Sequence, residues 1–203
     1  MKTIVRVVSA LLICYSLSGC AVKTPDIKVP RTPPPIVMPK ERPQVALVLG
    51  SGGARGYAHL GVIKVLRDAG VPINLIAGAS AGAIFGSVYA DTGSANKTIK
   101  TMMAAKFWDL ADVSNFPDPD GIMTGYHMEN FLLHHMRAKT FKQLKIPVVV
   151  ATTDIYKGKV YKIGSGPIAP AVESSAAVPV LVRPSYLYGH DLVDGGVIDP
   201  VPV

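Results

Sequence analysis

Cysteine is scarce in this chain of 203 residues: Cys14 and Cys20 are its only two, too few for a disulfide framework. Acidic residues are in deficit as well, 14 Asp and Glu against 21 Lys and Arg, for a formal charge of +7. Aromatic residues make up 7 % of the chain, and no dense Lys/Arg run is interleaved with them, so nothing in the sequence argues for a nucleic-acid partner and none is expected. The basic excess is spread thinly and suits either contact with anionic lipid headgroups or a plain solvated surface. Long hydrophobic runs are missing too. The apolar run Val7 to Leu17 is roughly half of the about 20 residues a membrane-spanning helix needs, which excludes a permanent transmembrane anchor there. What is present is enough length for one domain with a sizeable core plus extras, and too little for two.

The first extra is residues 1–19. Lys2 and Arg6 precede the apolar run, which ends in Leu17-Ser18-Gly19-Cys20, the pattern of a secretion signal. Leu-Ser-Gly-Cys resembles the lipobox of bacterial lipoproteins, which implies cleavage before Cys20 and a lipid on its thiol. The alternative is an ordinary signal peptide with a coincidental cysteine. Removal of the signal takes Cys14, Lys2 and Arg6 with it, so no thiol pair remains and the formal charge falls from +7 to +5. The location this implies is the bacterial cell envelope, lipid-anchored, with the outer membrane favoured over the inner. The second extra, residues 20–43, carries Pro25, Pro30, Pro33, Pro34, Pro35, Pro39 and Pro43. It reads as an extended spacer of about 3.1 Å per residue between lipid and domain, with a proline-rich ligand for a partner domain as the alternative.

The domain proper spans residues 44–203. Val45 to Leu49 reads as a buried strand, and Ala54 to Ala69 as a helix with Ala58, Val62, Val65, Leu66 and Ala69 on its apolar stripe. Ile73 to Ala77 is the next strand and Ala81 to Ala90 the next helix, an alternation that predicts an α/β sheet with right-handed crossovers. Helices are expected at Ser94 to Leu110, Tyr126 to Arg137 and Ile168 to Ala177. The intervening loop, Asp112 to Gly125, is long enough to be a lid. Ile146 to Thr153 and Lys159 to Ile163 are expected to pair across the Tyr156-Lys157-Gly158 turn.

Three motifs carry chemistry. Gly78-Ala79-Ser80-Ala81-Gly82 is a G-x-S-x-G stretch with a strand before and a helix after, the context in which a serine is presented on a sharp turn. Small neighbours are what such a turn requires, although a serine N-cap beside close-packing glycines would look similar. Gly50-Ser51-Gly52-Gly53-Ala54-Arg55-Gly56 follows the first strand, where freed backbone N–H groups converge on an anion. In acyl transfer that anion is the oxygen of the tetrahedral intermediate, and one lost donor typically costs about 10² to 10³ in rate. The glycines run G-x-G-x-x-x-G, and no acidic residue follows at a second strand end, so dinucleotide binding is disfavoured. Asp194-Gly195-Gly196 allows a tight turn that would hold a carboxylate at a strand end, where a dry setting would raise its pKa and let it serve as a base; read alone, Asp-Gly-Gly is equally an ordinary turn.

In this order, SGGARG, GASAG and DGG resemble the patatin-like phospholipases, lipid acyl hydrolases with a serine–aspartate dyad and no histidine. The resemblance spans nearly all of residues 44–203, and takes in Ile146-Pro147 leading to Ala151-Thr152-Thr153-Asp154, and Ala171 to Ser175 before Val178-Pro179. It implies a three-layer α/β/α sandwich with a mainly parallel central sheet, Ser80 as nucleophile and Asp194 as base. It further implies an oxyanion hole of backbone amides around Gly52, Gly53 and Ala54, braced by Arg55, with a membrane lipid as substrate and no metal or cofactor. Ser51 stands where many members have glycine, and members continue with another helix and strand beyond this sequence's last residue. The sheet is therefore expected to lack an edge.

Histidine is the usual rival base. His59 lies just past the glycine loop and suits a packing role, while His127, His134 and His135 lack the H-E-x-x-H spacing of a metal site. His190 completes the order Ser80, Asp154, His190 of a hydrolase triad, the alternative to the dyad. A tethered binding lipoprotein without turnover is the alternative from another class. Ile122-Met123 and Met102-Met103 suit either an acyl groove or core packing.

Overall fold

The apolar run that opens the domain is strand β1 (Ala46–Leu49) of a computed structural model that describes residues 24–42, 44–114 and 121–203. The signal at 1–19, Cys20, Pro43 and residues 115–120 of the expected lid lie outside the described residues. A 3₁₀ turn, Gly53–Tyr57, leads into α1 (Ala58–Asp68), β2 (Leu75–Ala79) and α2 (Ala81–Thr92). Then come α3 (Ala95–Ala104), the single turn α4 (Phe107–Leu110), β3 (Gly121–Met123) and α5 (Tyr126–His135). β4 (Val148–Asp154), β5 (Lys159–Ile163), α6 (Ile168–Ser175), β6 (Val180–Val182), β7 (Ser185–Leu187) and β8 (His190–Asp194) complete the chain.

The main sheet runs β1-β2-β4-β8-β7, with β5 also paired to β4. It is mixed: β1, β2 and β4 are parallel, as βαβ crossovers dictate, whereas β5, β8 and β7 join antiparallel. Helices lie on both sides, giving the three-layer α/β/α arrangement. β3 and β6 form a separate parallel pair. Leu47, Leu49, Ile76, Val148 and Val150 are buried on the face that α2 covers, and α2 itself is buried along almost its whole length. Such a helix reads as uniformly apolar rather than striped.

The buried face of α1 differs from the expected stripe. Leu60 and Ile63 are buried, while Val62 and Val65 are 48 % and 67 % exposed. Both sets recur at helical spacing, so periodicity alone does not choose between them. The choice is made by Gly56, where an added Cβ would lie 2.5 Å from Ala81 Cβ and 2.8 Å from the Phe85 ring. Contact at Gly56 turns Leu60 and Ile63, four and seven residues on, toward α2.

The helix expected from Ser94 to Leu110 is broken. Ala105 and Lys106 are extended, and the Asp109 carboxylate accepts the Lys106 N–H (2.8 Å), which starts a new turn instead of continuing the old one. The ends of the expected lid are pinned rather than free. The Asp112 carboxylate accepts the Thr124 N–H and hydroxyl, both at 2.6 Å, and the His127 N–H at 3.1 Å. Those donors hold the Asp112 pKa below its ordinary value against the opposing effect of burial.

The proline-rich segment has neither helix nor strand at residues 24–42 and lies docked on the domain. Val37 N–H donates to Gly164 O (2.9 Å) and the Ser165 hydroxyl donates to Pro34 O. Ile36 and Met38 share an apolar cavity of about 320 Å³ with Val48, Ala77 and Val149, on the sheet face opposite α2.

A second buried feature escapes the motifs. Glu173 on α6 is fully enclosed, accepts the Ser185 hydroxyl with one oxygen and has no hydrogen-bond partner among the described residues for the other. Burial pushes its pKa up to about 8, and burial likewise lifts Glu129 to about 7 despite the nearby Arg183. A carboxyl whose pKa is raised on folding holds its proton more tightly in the folded chain. Stability is therefore greatest near pH 5 and declines as pH rises toward 8. Wild-type Tm is expected to fall by roughly 10 °C across that window, with Glu173→Gln removing much of the slope. Parallel thermal-melt profiles for the two proteins would refute this.

Candidate active site

β2 ends at Ala79 and α2 begins at Ala81, so Ser80 is the whole of the strand-to-helix turn. Its backbone sits at φ 51, ψ −121, a region a non-glycine residue enters only under strain of about 1–3 kcal/mol. Its neighbours hold it there. Ser80 O accepts the N–H groups of Ala83 (2.9 Å) and Ile84 (3.2 Å), anchoring the turn to α2. Ser80 N–H donates to Ser175 Oγ (2.8 Å), which in turn donates to Ala151 O (2.6 Å). Ser175 thus ties the turn to both α6 and β4. Its positioning role is not visible in the sequence, because the hydroxyl works only through the fold that brings residue 175 to residue 80.

Sheet register brings the carboxylate to the serine. Ala79 is level with Ala151, and Thr152 on the same strand is level with Asp194. Ser80 Oγ donates to Asp194 Oδ2 at 2.5 Å, with both side chains buried. The other carboxylate oxygen accepts the Gly196 N–H (2.7 Å), the glycine turn acting as a built-in clamp. Asp194 N–H donates to Ala177 O (2.9 Å), and Thr153 Oγ1 donates to Asp194 O (3.0 Å). Desolvation raises the Asp194 pKa above the ordinary carboxylate value, although the Ser80 and Gly196 donors pull the other way.

The glycine loop packs beside this pair. Gly78 and Gly82 let α2 approach β2 and β1, and Gly82 abuts the carbonyls of Leu49 and Gly50. Ser51 N–H donates to Pro200 O (2.8 Å), and Gly196 lies against the Ser51 side chain, so the loop and the Asp194-Gly195-Gly196 turn support each other. Gly52 and Gly53 both have positive φ, and Arg55 N–H donates back to Gly52 O (3.1 Å). Gly53, Ala54 and Arg55 are exposed. His59 holds Gly50 O through Nε2 at 2.9 Å and meets the Phe85 ring edge-on, the packing role expected of it.

The rival triad is only half assembled. His190 Nδ1 lies 2.6 Å from Asp154 Oδ2 and its ring packs on Tyr161. His190 nevertheless precedes Asp194 by four residues along β8, about 13 Å of strand, while Ser80 is bonded to Asp194 itself. His127 and His134 bond backbone carbonyls on or beside α5. Met102 is buried in the core and Met103 is exposed.

Residues 47–203 match the patatin-like phospholipase family. An uncharacterized NTE family protein of Mycobacterium tuberculosis (strain ATCC 25618 / H37Rv) is 38 % identical over 165 residues, covering 79 % of this chain and 45 % of that protein. The patatin-like phospholipase domain-containing protein 6 of Homo sapiens is 35 % identical over 169 residues, 78 % of this chain and 12 % of its own. The chain thus spans less than half the length of the curated relatives it matches. In fold it is similar to the crystal structure of VipD from Legionella pneumophila, with a TM-score of 0.60 at 18 % identity over 89 % of this chain and 52 % of that one.

Proposed function

Because the chain belongs to the patatin-like phospholipase family, we propose that it is a serine acyl hydrolase that cleaves fatty-acyl esters of lipids through Ser80 and Asp194. The observation that carries this reading is the 2.5 Å hydrogen bond from Ser80 Oγ to a buried carboxylate with a raised pKa. Asp194 takes the Ser80 proton as Oγ bonds to the ester carbonyl carbon. The oxygen that becomes negative is held by backbone N–H groups of Gly52, Gly53 and Ala54, with Arg55 bracing the loop. Collapse of the intermediate expels the alcohol, which leaves with the proton from Asp194. Water, deprotonated by Asp194, then attacks the acyl-enzyme and releases the fatty acid, and the proton returns to Ser80 Oγ. No metal or cofactor takes part in these steps.

A fungal relative from Mycosarcoma maydis, 32 % identical over 165 residues, is named a lysophospholipase. Single-chain phospholipids are accordingly the first substrates to offer. Cys20 carries the lipid anchor in this reading, which holds the enzyme at a bacterial envelope membrane, the outer one in preference to the inner.

The deciding experiment is reaction of the full chain with a fluorophosphonate, followed by mass-spectrometric peptide mapping. A single adduct on Ser80, absent in Ser80→Ala, is expected. A folded wild-type chain that takes no adduct would leave a silent, tethered binding protein as the better description.

A further inference from the structure

We propose that α3 and α4 form a docking face for an anionic lipid surface, placed at the active-site end of the domain; the proposal rests on the lipid-hydrolase reading above. On α3 the inner residues Ala95, Thr98 and Met102 are buried, which leaves Lys97, Lys100 and Met103 facing outward. Lys106, Phe107 and Trp108 follow directly and are exposed as well. Met103 and Phe107 are each 65 % exposed and Trp108 63 %, although these are the kinds of side chain that folding normally removes from water. The two rings pack edge to face at 4.9 Å, forming one aromatic surface rather than two stray residues. Lysines with Phe and Trp are the residues that seat a peripheral segment at the headgroup boundary, and elements of 10 and 4 residues lie on a bilayer instead of spanning it. Asp109 is the one acid in this stretch, and its carboxylate is engaged at the Lys106 N–H.

The end of the molecule on which this face sits is fixed by two contacts. Gly56 touches Ala81, the residue after Ser80, and the adjacent Tyr57 donates its hydroxyl to Met102 O (3.2 Å). The C-terminal end of α3 therefore lies beside the start of α2 and the glycine loop. A lipid held at Met103 to Trp108 is held at the level of the nucleophile. The proline-rich segment converges on the same place: Thr24, Pro25 and Asp26 share a groove with Trp108 and His127. Cys20 is four residues before Thr24, within about 14 Å of it at full extension. A lipid carried on Cys20 and the basic, aromatic face would thus reach a bilayer from the same side, which favours a lipid surface over a protein partner.

Trp108 is the only tryptophan in the chain, so its fluorescence reports this face and no other segment. The full chain would be mixed with phosphatidylcholine vesicles containing phosphatidylglycerol, with and without brominated acyl chains. The expected result is a blue shift of Trp108 emission, quenching by the brominated chains, and weaker quenching in pure phosphatidylcholine. Joint replacement of Lys97, Lys100 and Lys106 by Gln is expected to raise the lipid concentration for half-quenching by roughly 100-fold, about fivefold per lysine. Emission that stays unshifted and unquenched while the chain sediments with vesicles would overturn the proposal, as would a triple variant that is quenched like wild type. Fluorophosphonate labelling of the same preparation in the absence of lipid separates the two ideas. Labelled Ser80 without insertion sinks only the docking face, and insertion without labelling sinks only the hydrolase.

Discussion

Asp194→Asn is expected to lower kcat/KM toward a soluble fatty-acyl ester by about 10² to 10⁴, the range over which a positioned general base contributes. The amide keeps the shape of the carboxylate and still accepts the Gly196 N–H, but it takes no proton from Ser80 Oγ. The fold is not expected to suffer. Burial raises the Asp194 pKa, so the folded chain binds that proton more tightly than the unfolded one, and ionising the group as pH rises lowers stability. Asn removes that cost, and thermal melts at neutral pH should give a Tm no lower than wild type. Activity and stability thus pull in opposite directions at one atom. Because the base works ionised, wild-type kcat/KM falls as pH is lowered through a value above the ordinary carboxylate range, and the residual rate of Asp194→Asn lacks this acid limb. His190→Ala completes the comparison, since its ring pairs with Asp154 and not with Ser80. Loss of turnover in His190→Ala with Asp194→Asn unaffected would transfer the base role to the histidine.

The three motifs of the candidate site stand out in the sequence because each is made of residues that only a special backbone needs. Small residues flank Ser80 because its turn is strained, and two glycines follow Asp194 because the carboxylate turns back onto the Gly196 N–H while Gly195 lies against the Ala151 carbonyl. Their meeting in space follows from register, with Ala79 level with Ala151 and Thr152 level with Asp194. What stayed illegible depends on contacts whose signal is not local. Val62 and Val65 fit a helical stripe as well as Leu60 and Ile63 do, and only the approach of Gly56 to α2 decides between them. Ser175 and Glu173 are an ordinary serine and glutamate until α6 is placed over the sheet, where one steadies the Ser80 turn and the other is sealed from water. Proline content announced an extended segment, yet composition does not say whether such a segment stands free. Ile36 and Met38, apolar residues between the prolines, were the available hint that it lies on the domain.

Gly82→Ala should have the largest effect on the fold itself, because backbone surrounds the position. A methyl group there would overlap the Leu49 carbonyl and lie 2.8 Å from Gly50 O, and neither is the movable end of a side chain. The strain is relieved only by lifting α2 away from β1, which carries Ser80, two residues earlier, and the start of the glycine loop apart. Overpacking of a tight interior typically costs about 1–3 kcal/mol and sometimes more, and with two backbone segments in the way the upper end applies. A Tm lower by roughly 10 °C follows for a domain of this size, together with weaker fluorophosphonate labelling of the protein that remains folded. Gly61→Ala is the internal control. Nothing lies within 4 Å of its added methyl group, its φ is not in the left-handed region, and it sits inside α1. There the same substitution should stabilise by about 0.5–1 kcal/mol through the entropy and helix preference that glycine forgoes. Opposite signs for one chemical change at two helical glycines would show that Gly82 is required for close approach and not for flexibility. Equal, small effects at both sites would mean that α2 has room to shift and that the elbow tolerates it.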